Sequence, residues 1–169
     1  MNWREISPER FTAAPVTLFA EGKPLLSAVS EERRNTMTIA WGSIGVFFGV
    51  PTVMVGVRPN RYTFELINAG SVISLSFLPR GYEDAISYCG THSGREGDKA
   101  EKAGLHPTAM PCGAYAIGEA ELVITAKKIM AHGIDASEIC DTAIMERWYK
   151  KEPFHTIYLA RIEKIYEKA

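Results

Sequence analysis

Apolar and polar positions alternate with period two along much of the chain, and that alternation predicts strands. Ala120, Leu122, Ile124 and Ala126 interleave with Glu121, Val123, Thr125 and Lys127, the pattern of a long half-buried strand. Phe154, Thr156, Tyr158, Ala160 and Ile162 repeat it near the end, and Val72–Phe77 forms a further strand. Val16–Ala20 and Leu25–Val29 flank Glu21-Gly22-Lys23-Pro24, a turn signal, and are predicted to pair as a hairpin. Asn35 to Val57 carries no charge and has the length of a membrane-spanning helix. Pro51, four glycines and the alternation of Thr36, Thr38 and Ser43 speak against a helix, so two buried strands are predicted at 36–44 and 52–58, joined by a Gly-Val-Pro turn.

Helical spacing is confined to short stretches. Arg61–Ala69 places Tyr62, Leu66 and Ala69 on one side, with Asn60 as a natural N-cap. Tyr82, Ala85, Ile86 and Cys89 fall at i, i+3, i+4 and i+7. Arg95–Ala103 is predicted helical up to Gly104, with Ser93 and Glu96 matching a capping box, and Asp135–Asp141 reads as a short helix or loop. Many short strands without repeats or linkers predict a single mainly β domain over residues 1–169, as a barrel or sandwich.

Composition narrows the function classes. The 169 residues have a formal charge of −1, 46% hydrophobic residues and 23% charged ones, ordinary values for a globular domain that buries a core. A near-zero charge removes a global pull toward nucleic acid or anionic membrane, so neither is expected as a partner, while a local basic pocket stays open. Cys89, Cys112 and Cys140 are odd in number and far apart, which argues against a disulfide framework or structural zinc and fits a reducing cytoplasm. No signal peptide is predicted at Met1-Asn2-Trp3-Arg4-Glu5. Neither nucleotide-binding glycine fingerprint occurs, nor H-E-x-x-H, and Cys89 with His92 lacks further ligands at metal spacing.

Three segments carry candidate chemistry. Arg58-Pro59-Asn60-Arg61-Tyr62-Thr63 sits where a strand ends and a helix begins. Two arginines beside a positive helix end suit an anion such as a phosphate, or else are simply solvated. Cys89-Gly90-Thr91-His92-Ser93-Gly94-Arg95-Glu96-Gly97-Asp98-Lys99 offers hydroxyls, glycine-exposed amides and cations that could wrap a ligand, or serve only as a helix cap. Asn35-Thr36-Met37-Thr38-Ile39-Ala40-Trp41-Gly42 puts Thr36, Thr38 and Ala40 on one strand face, open to a flat ligand, or is a plain core strand.

Taken together, the three segments resemble the flavin reductase-like family of FMN-binding split β-barrel proteins, in its flavoredoxin-type branch. Order and spacing agree from about Ala14 to Leu105, and the terminal strands match more loosely. The resemblance implies a six-stranded Greek-key split barrel with added helices, noncovalent FMN and a homodimer. It implies that Thr36, Met37, Thr38, Ala40 and Trp41 line the isoalloxazine ring, with Asn35 and Thr91 nearby. Arg58, Arg61, Tyr62 and Thr63 would hold the phosphate, helped by Ser93 and Lys99. No side chain is assigned as an obligatory acid, base or nucleophile. Many two-component flavin reductases have a later His-Phe-rich strand segment that helps engage the nicotinamide, and the comparable Ala114–Leu122 has no histidine. The implied function is a flavoprotein oxidoreductase drawing electrons from NAD(P)H or, alternatively, an electron carrier served by redox proteins. The residues alone also allow a barrel that binds another phosphorylated ligand.

Overall fold

A computed structural model describes residues 3–169. The elements follow in the order β1 (Trp3–Ile6), α1 (Pro15–Ala20), β2 (Leu25–Ser30), β3 (Arg33–Thr38), β4 (Gly42–Phe47), β5 (Val50–Val57) and α2 (Tyr62–Ala69). There follow β6 (Val72–Phe77), α3 (Glu83–Thr91), α4 (Lys99–Lys102), β7 (Pro107–Ala109), β8 (Tyr115–Ile117), β9 (Leu122–Gly133), α5 (Thr142–Trp148) and β10 (Thr156–Lys168). No helix among the described residues is long and apolar enough to cross a membrane.

The main sheet is antiparallel, in the order β3-β2-β6-β9-β10-β5-β4, with β1 added to the far half of β10. The six strands from β3 to β5 form the barrel wall, and β4 and β1 extend it. β3 and β4 lie at opposite ends of this order, yet only Ile39, Ala40 and Trp41 join them. A chain that short spans at most about 14 Å, so the two ends of the sheet must curl together. The closure lacks ladder pairing. Ile39 N–H bonds the Pro24 carbonyl on one side, and Gly56 N–H bonds the Trp41 carbonyl on the other. The barrel is therefore split at residues 39–41.

Alternate residues of each strand fill the interior: Leu26 and Ala28, Val53 and Val55, Ile73 and Leu75, Ile124 and Ala126, Tyr158 and Ala160. The opposite face of β2, β6 and β9 is also covered. There Ser27, Ser74 and Ser76 are buried under the β7–β8 hairpin, and buried Thr125 faces the Lys164 carbonyl of β10. Ser76 Oγ accepts the Ile117 N–H at 3.0 Å, and Thr36 Oγ1 stands 2.9 Å from both Ser27 Oγ and the Tyr115 hydroxyl. Hydroxyls let these strands be buried on both faces without unpaired groups.

Several expectations are corrected. Residues 16–20 are a helix rather than a strand, since Pro15 presets the first-turn φ and only Phe19 is buried, with Val16 outside. The strand expected at 36–44 is two strands broken at the split, and the first starts earlier, at Arg33. Its hairpin turn is Phe48-Gly49, both at positive φ, rather than Gly-Val-Pro. Val50 and Pro51 belong to β5, where Pro51 faces the edge strand β4. The helix expected at 95–103 is interrupted at Gly97 and restarts at Lys99 under an Asp98 cap. Ser93 accepts only the Arg95 amide, and the capping box that forms is Asp135 with Glu138. Arg61, not Asn60, holds the N-cap position of α2.

Candidate functional site

Two cavities open beside the split. The larger, about 380 Å³, is floored by the five consecutive residues Met37 to Trp41. A continuing strand would turn every second side chain away, but the strand ends at Thr38 and the chain bends across the gap. The smaller, about 130 Å³, lies between the start of α2 and the loop 89–95. Met37 and Arg61 line both, so the two form one continuous groove.

The smaller recess is a cationic cup. The first N–H groups of α2 have no acceptor within the helix and leave a positive end there. The Arg61 guanidinium has no hydrogen-bond or ion-pair partner among the described residues. Arg95 closes the rim, its guanidinium over the Tyr62 ring at 5.5 Å and paired with Glu65. Beneath them Asn35 Nδ2 donates to Thr63 Oγ1 at 2.7 Å, with both residues buried. Gly94 packs so closely on Asn35 that an added Cβ would stand 1.9 Å from Oδ1.

Lys99 holds the loop from below. Its buried Nζ donates to the carbonyls of Cys89 (2.6 Å) and His92 (3.0 Å). Burial pushes its pKa down, and the nearby Arg61 charge pushes the same way. Burial pushes the Cys89 thiol up, so it stays protonated in its apolar cluster. Thr91 lines the recess, but its hydroxyl donates back to the Ser87 carbonyl at 2.9 Å.

The larger cavity has a second wall, made by α5 and the segment before β10. Trp41 meets the Trp148 ring edge-on at 5.0 Å and lies along the His155 ring at 4.2 Å. Arg58, Arg61 and Arg147 outnumber the one carboxylate, Glu152. Arg58 is already committed. It donates to the carbonyls of Pro153 (2.6 Å) and Trp148 (2.9 Å), sits 3.8 Å from Glu152 and lies over the Tyr149 ring.

His155 is buried and uncharged. Burial first, then the charges of Arg58 and Arg61, lower its pKa from 6.5 to about 4. A histidine depressed in this way is protonated in the unfolded chain before it is in the native one. Stability is therefore expected to fall as the pH drops through 6.5 toward 4, by about 3 kcal/mol in all. Urea midpoints across that window should show the loss, and His155→Phe should flatten it.

Every candidate from the sequence except Thr36 lines one of the two cavities. Asn35, Met37, Arg61, Tyr62, Thr63, Thr91, Ser93 and Lys99 meet in the recess; Met37, Thr38, Ala40, Trp41, Arg58 and Arg61 meet in the larger cavity. Thr36 points instead into the hydroxyl network under Tyr115. Arg58 and Arg61 lie in different places: Arg61 lines both cavities, while Arg58 lines only the larger one, with its guanidinium bonded to two carbonyls of the second wall. Sequence reasoning missed Arg147, Trp148, Glu152 and His155. The aromatic and charged cluster at 146–149 and the Phe154-His155 pair ahead of the last strand were the available signal. No histidine enters from Ala114–Leu122; the one in the cavity comes from the other side of the barrel.

The sequence model described as "Flavin reductase like domain" matches residues 16–168. Comparison with curated protein sequences gives no match. Among solved structures, the flavoredoxin of Desulfovibrio vulgaris (Miyazaki F) superposes with a TM-score of 0.65 at 24% identity, over 84% of this chain and 67% of that one. An FMN-binding domain of a flavin reductases-like enzyme from Shewanella baltica OS155 gives a TM-score of 0.71 at 13% identity, over 99% and 78%. The FMN-binding protein from Thermus thermophilus gives 0.67 at 23% identity, over 94% and 79%.

Proposed function

The chain belongs to the flavin reductase-like family, and on that footing we propose that it is an FMN-dependent oxidoreductase whose phosphate site is the recess at α2 and whose ring site is the cavity at the split. The observation that carries this reading is the shared groove: a small cationic cup opening, past Arg61, into a larger aromatic-walled cavity. The residues fit the group. A dianion would meet the Arg61 guanidinium, the α2 amides and Ser93 together. Met37 to Trp41, Trp148 and His155 would line the cavity around a flat tricycle.

Bound FMN supplies the two-electron redox chemistry. The chain binds and orients. Arg61 anchors the phosphate, Asn35 and Gly94 hold the recess in shape, and Arg58 fixes the second wall that keeps water from the ring. The electron donor is NAD(P)H or a redox protein. The cavity, about 380 Å³, has room for one ring system. Anaerobic mixing with NADH and NADPH decides between them, since bleaching by either identifies a reductase.

The protein is further proposed to work as a homodimer. Val46, Phe47 and Phe48 on the β4–β5 hairpin, with Met54 and Met130 on the outer sheet face, are exposed apolar residues that a second copy would cover. One experiment addresses cofactor and assembly. Titration of the purified protein with FMN is expected to quench flavin fluorescence at one equivalent per chain, more tightly than riboflavin, and light scattering should give twice the 18.7 kDa chain mass. Unquenched FMN overturns the cofactor reading, and a monomer mass overturns the dimer.

A further inference from the structure

His155 is the one group of the second wall that is both deeply buried and polar on the cavity side. Only 8% of its surface is exposed, and it lines the ring cavity beside Trp41. Its Nδ1 stands 3.0 Å from the Tyr149 hydroxyl. The His155 backbone N–H also faces that hydroxyl as a donor, so the phenol oxygen accepts there and keeps its own proton to give. A phenol has one proton to give, and Nδ1 is the acceptor within reach, so the phenol donates and Nδ1 accepts. The reverse arrangement would leave the buried phenol proton unpaired, at a cost of about 1–3 kcal/mol. The uncharged imidazole therefore carries its proton on Nε2.

Nε2 has no protein partner among the described residues. Among the described residues, no side-chain nitrogen or oxygen is both fully enclosed and unpartnered, so Nε2 reaches open space, and the space His155 borders is the ring cavity. A fixed N–H donor there awaits an acceptor. The pyrimidine edge of an isoalloxazine is made of such acceptors, two carbonyl oxygens and ring nitrogens.

We propose that His155 donates its Nε2–H to the pyrimidine edge of the bound flavin, with Tyr149 as the positioning residue that fixes the donating tautomer. The inference rests on the FMN reading of the cavity. Its consequence is redox tuning. Two-electron reduction gathers negative charge on that edge, and a hydrogen bond to a charged acceptor is about twice as strong as one to a neutral acceptor. His155 therefore holds reduced FMN more tightly than oxidised FMN and raises the potential. The low pKa of the imidazole keeps this a neutral donor across the physiological range, so the effect is steady there.

The test compares the FMN-loaded wild type with His155→Leu, His155→Gln and Tyr149→Phe. Anaerobic titration against a reference dye gives the midpoint potential, and fluorescence gives the affinity for oxidised FMN. His155→Leu is expected to lower the ratio of reduced to oxidised affinity about tenfold, which a two-electron couple registers as about 30 mV. His155→Gln, whose amide also donates, should recover most of it. Tyr149→Phe, which frees the tautomer, should fall between wild type and His155→Leu. Should His155→Leu not fold, the last two variants still decide, because a merely structural role moves melting temperature and not potential. Equal potentials in all variants that retain FMN overturn this inference alone. A wild type that takes up no FMN overturns the reading beneath it as well.

Discussion

Arg61→Ala is expected to weaken FMN binding by about a hundredfold while barely moving the melting temperature. The side chain is exposed, touches no partner among the described residues and lines both halves of the groove, so its removal takes nothing from the fold. A hydrogen bond to a charged group contributes about 1.5–3 kcal/mol, and each 1.4 kcal/mol is tenfold in affinity. Riboflavin lacks the phosphate and should bind wild type and variant alike, so the preference for FMN over riboflavin should collapse. Arg58→Ala is the contrasting case. Its guanidinium joins the carbonyls of Trp148 and Pro153 under the Tyr149 ring, and losing it leaves those carbonyls unpaired. That variant should melt lower and lose affinity for FMN and riboflavin to a similar degree. Isothermal titration with both ligands, next to thermal melts, separates the two arginines. Equal loss of FMN and riboflavin in Arg61→Ala would move the phosphate elsewhere.

Gly94→Ala should produce the largest loss of stability among single-methyl additions at the recess. Its new Cβ would stand 1.9 Å from Asn35 Oδ1 and 2.5 Å from Cγ, so the amide has to move. Moving it breaks the bond to Thr63, and both partners are buried at the foot of α2. An unpaired buried polar group costs about 1–3 kcal/mol, and forcing an extra methyl into a packed site costs a similar amount. The expected loss is about 2–4 kcal/mol, or roughly 5–15 °C in melting temperature for a chain of this size. FMN affinity should fall with it, since the recess loses its shape. Gly94→Ala combined with Asn35→Ala removes the clash, so the double variant should be more stable than the sum of the single losses implies. Strict additivity in a double-mutant cycle would rule out the packing account.

The recess was legible in the sequence because its chemistry is local. Arg61, Tyr62 and Thr63 follow one another at a helix start, and Thr91, Ser93, Gly94 and Arg95 follow one another in a loop. Period-two alternation also fixed β6 to the residue, since Val72–Phe77 is bounded by loops on both sides. The second wall of the ring cavity was not legible. Trp148 and His155 reach Trp41 only because α5 and the segment before β10 fold back across the split, and no spacing within the chain encodes that approach. The same blindness explains Arg58: its neighbour in sequence is the phosphate motif, but its partners lie 90 and 95 residues away. Alternation misled at residues 16–20, where Pro15 and the burial of Phe19 alone decide for a helix. The short β7–β8 hairpin, three residues a side, is too brief to show any period.

The placement of β10 governs how this domain comes into being during translation. Residues 156–161 zip to β5 and residues 165–168 to β1 along one edge, while the other edge runs the length of β9. A nascent chain halted before residue 156 would hold β5 and β9 as neighbours with no strand between them, their apolar flanks bare. Sealing the barrel therefore waits on a segment that leaves the ribosome more than 100 residues after β5 does. Pairings that span so long a stretch of sequence leave strand edges and apolar surface exposed until the last segment arrives.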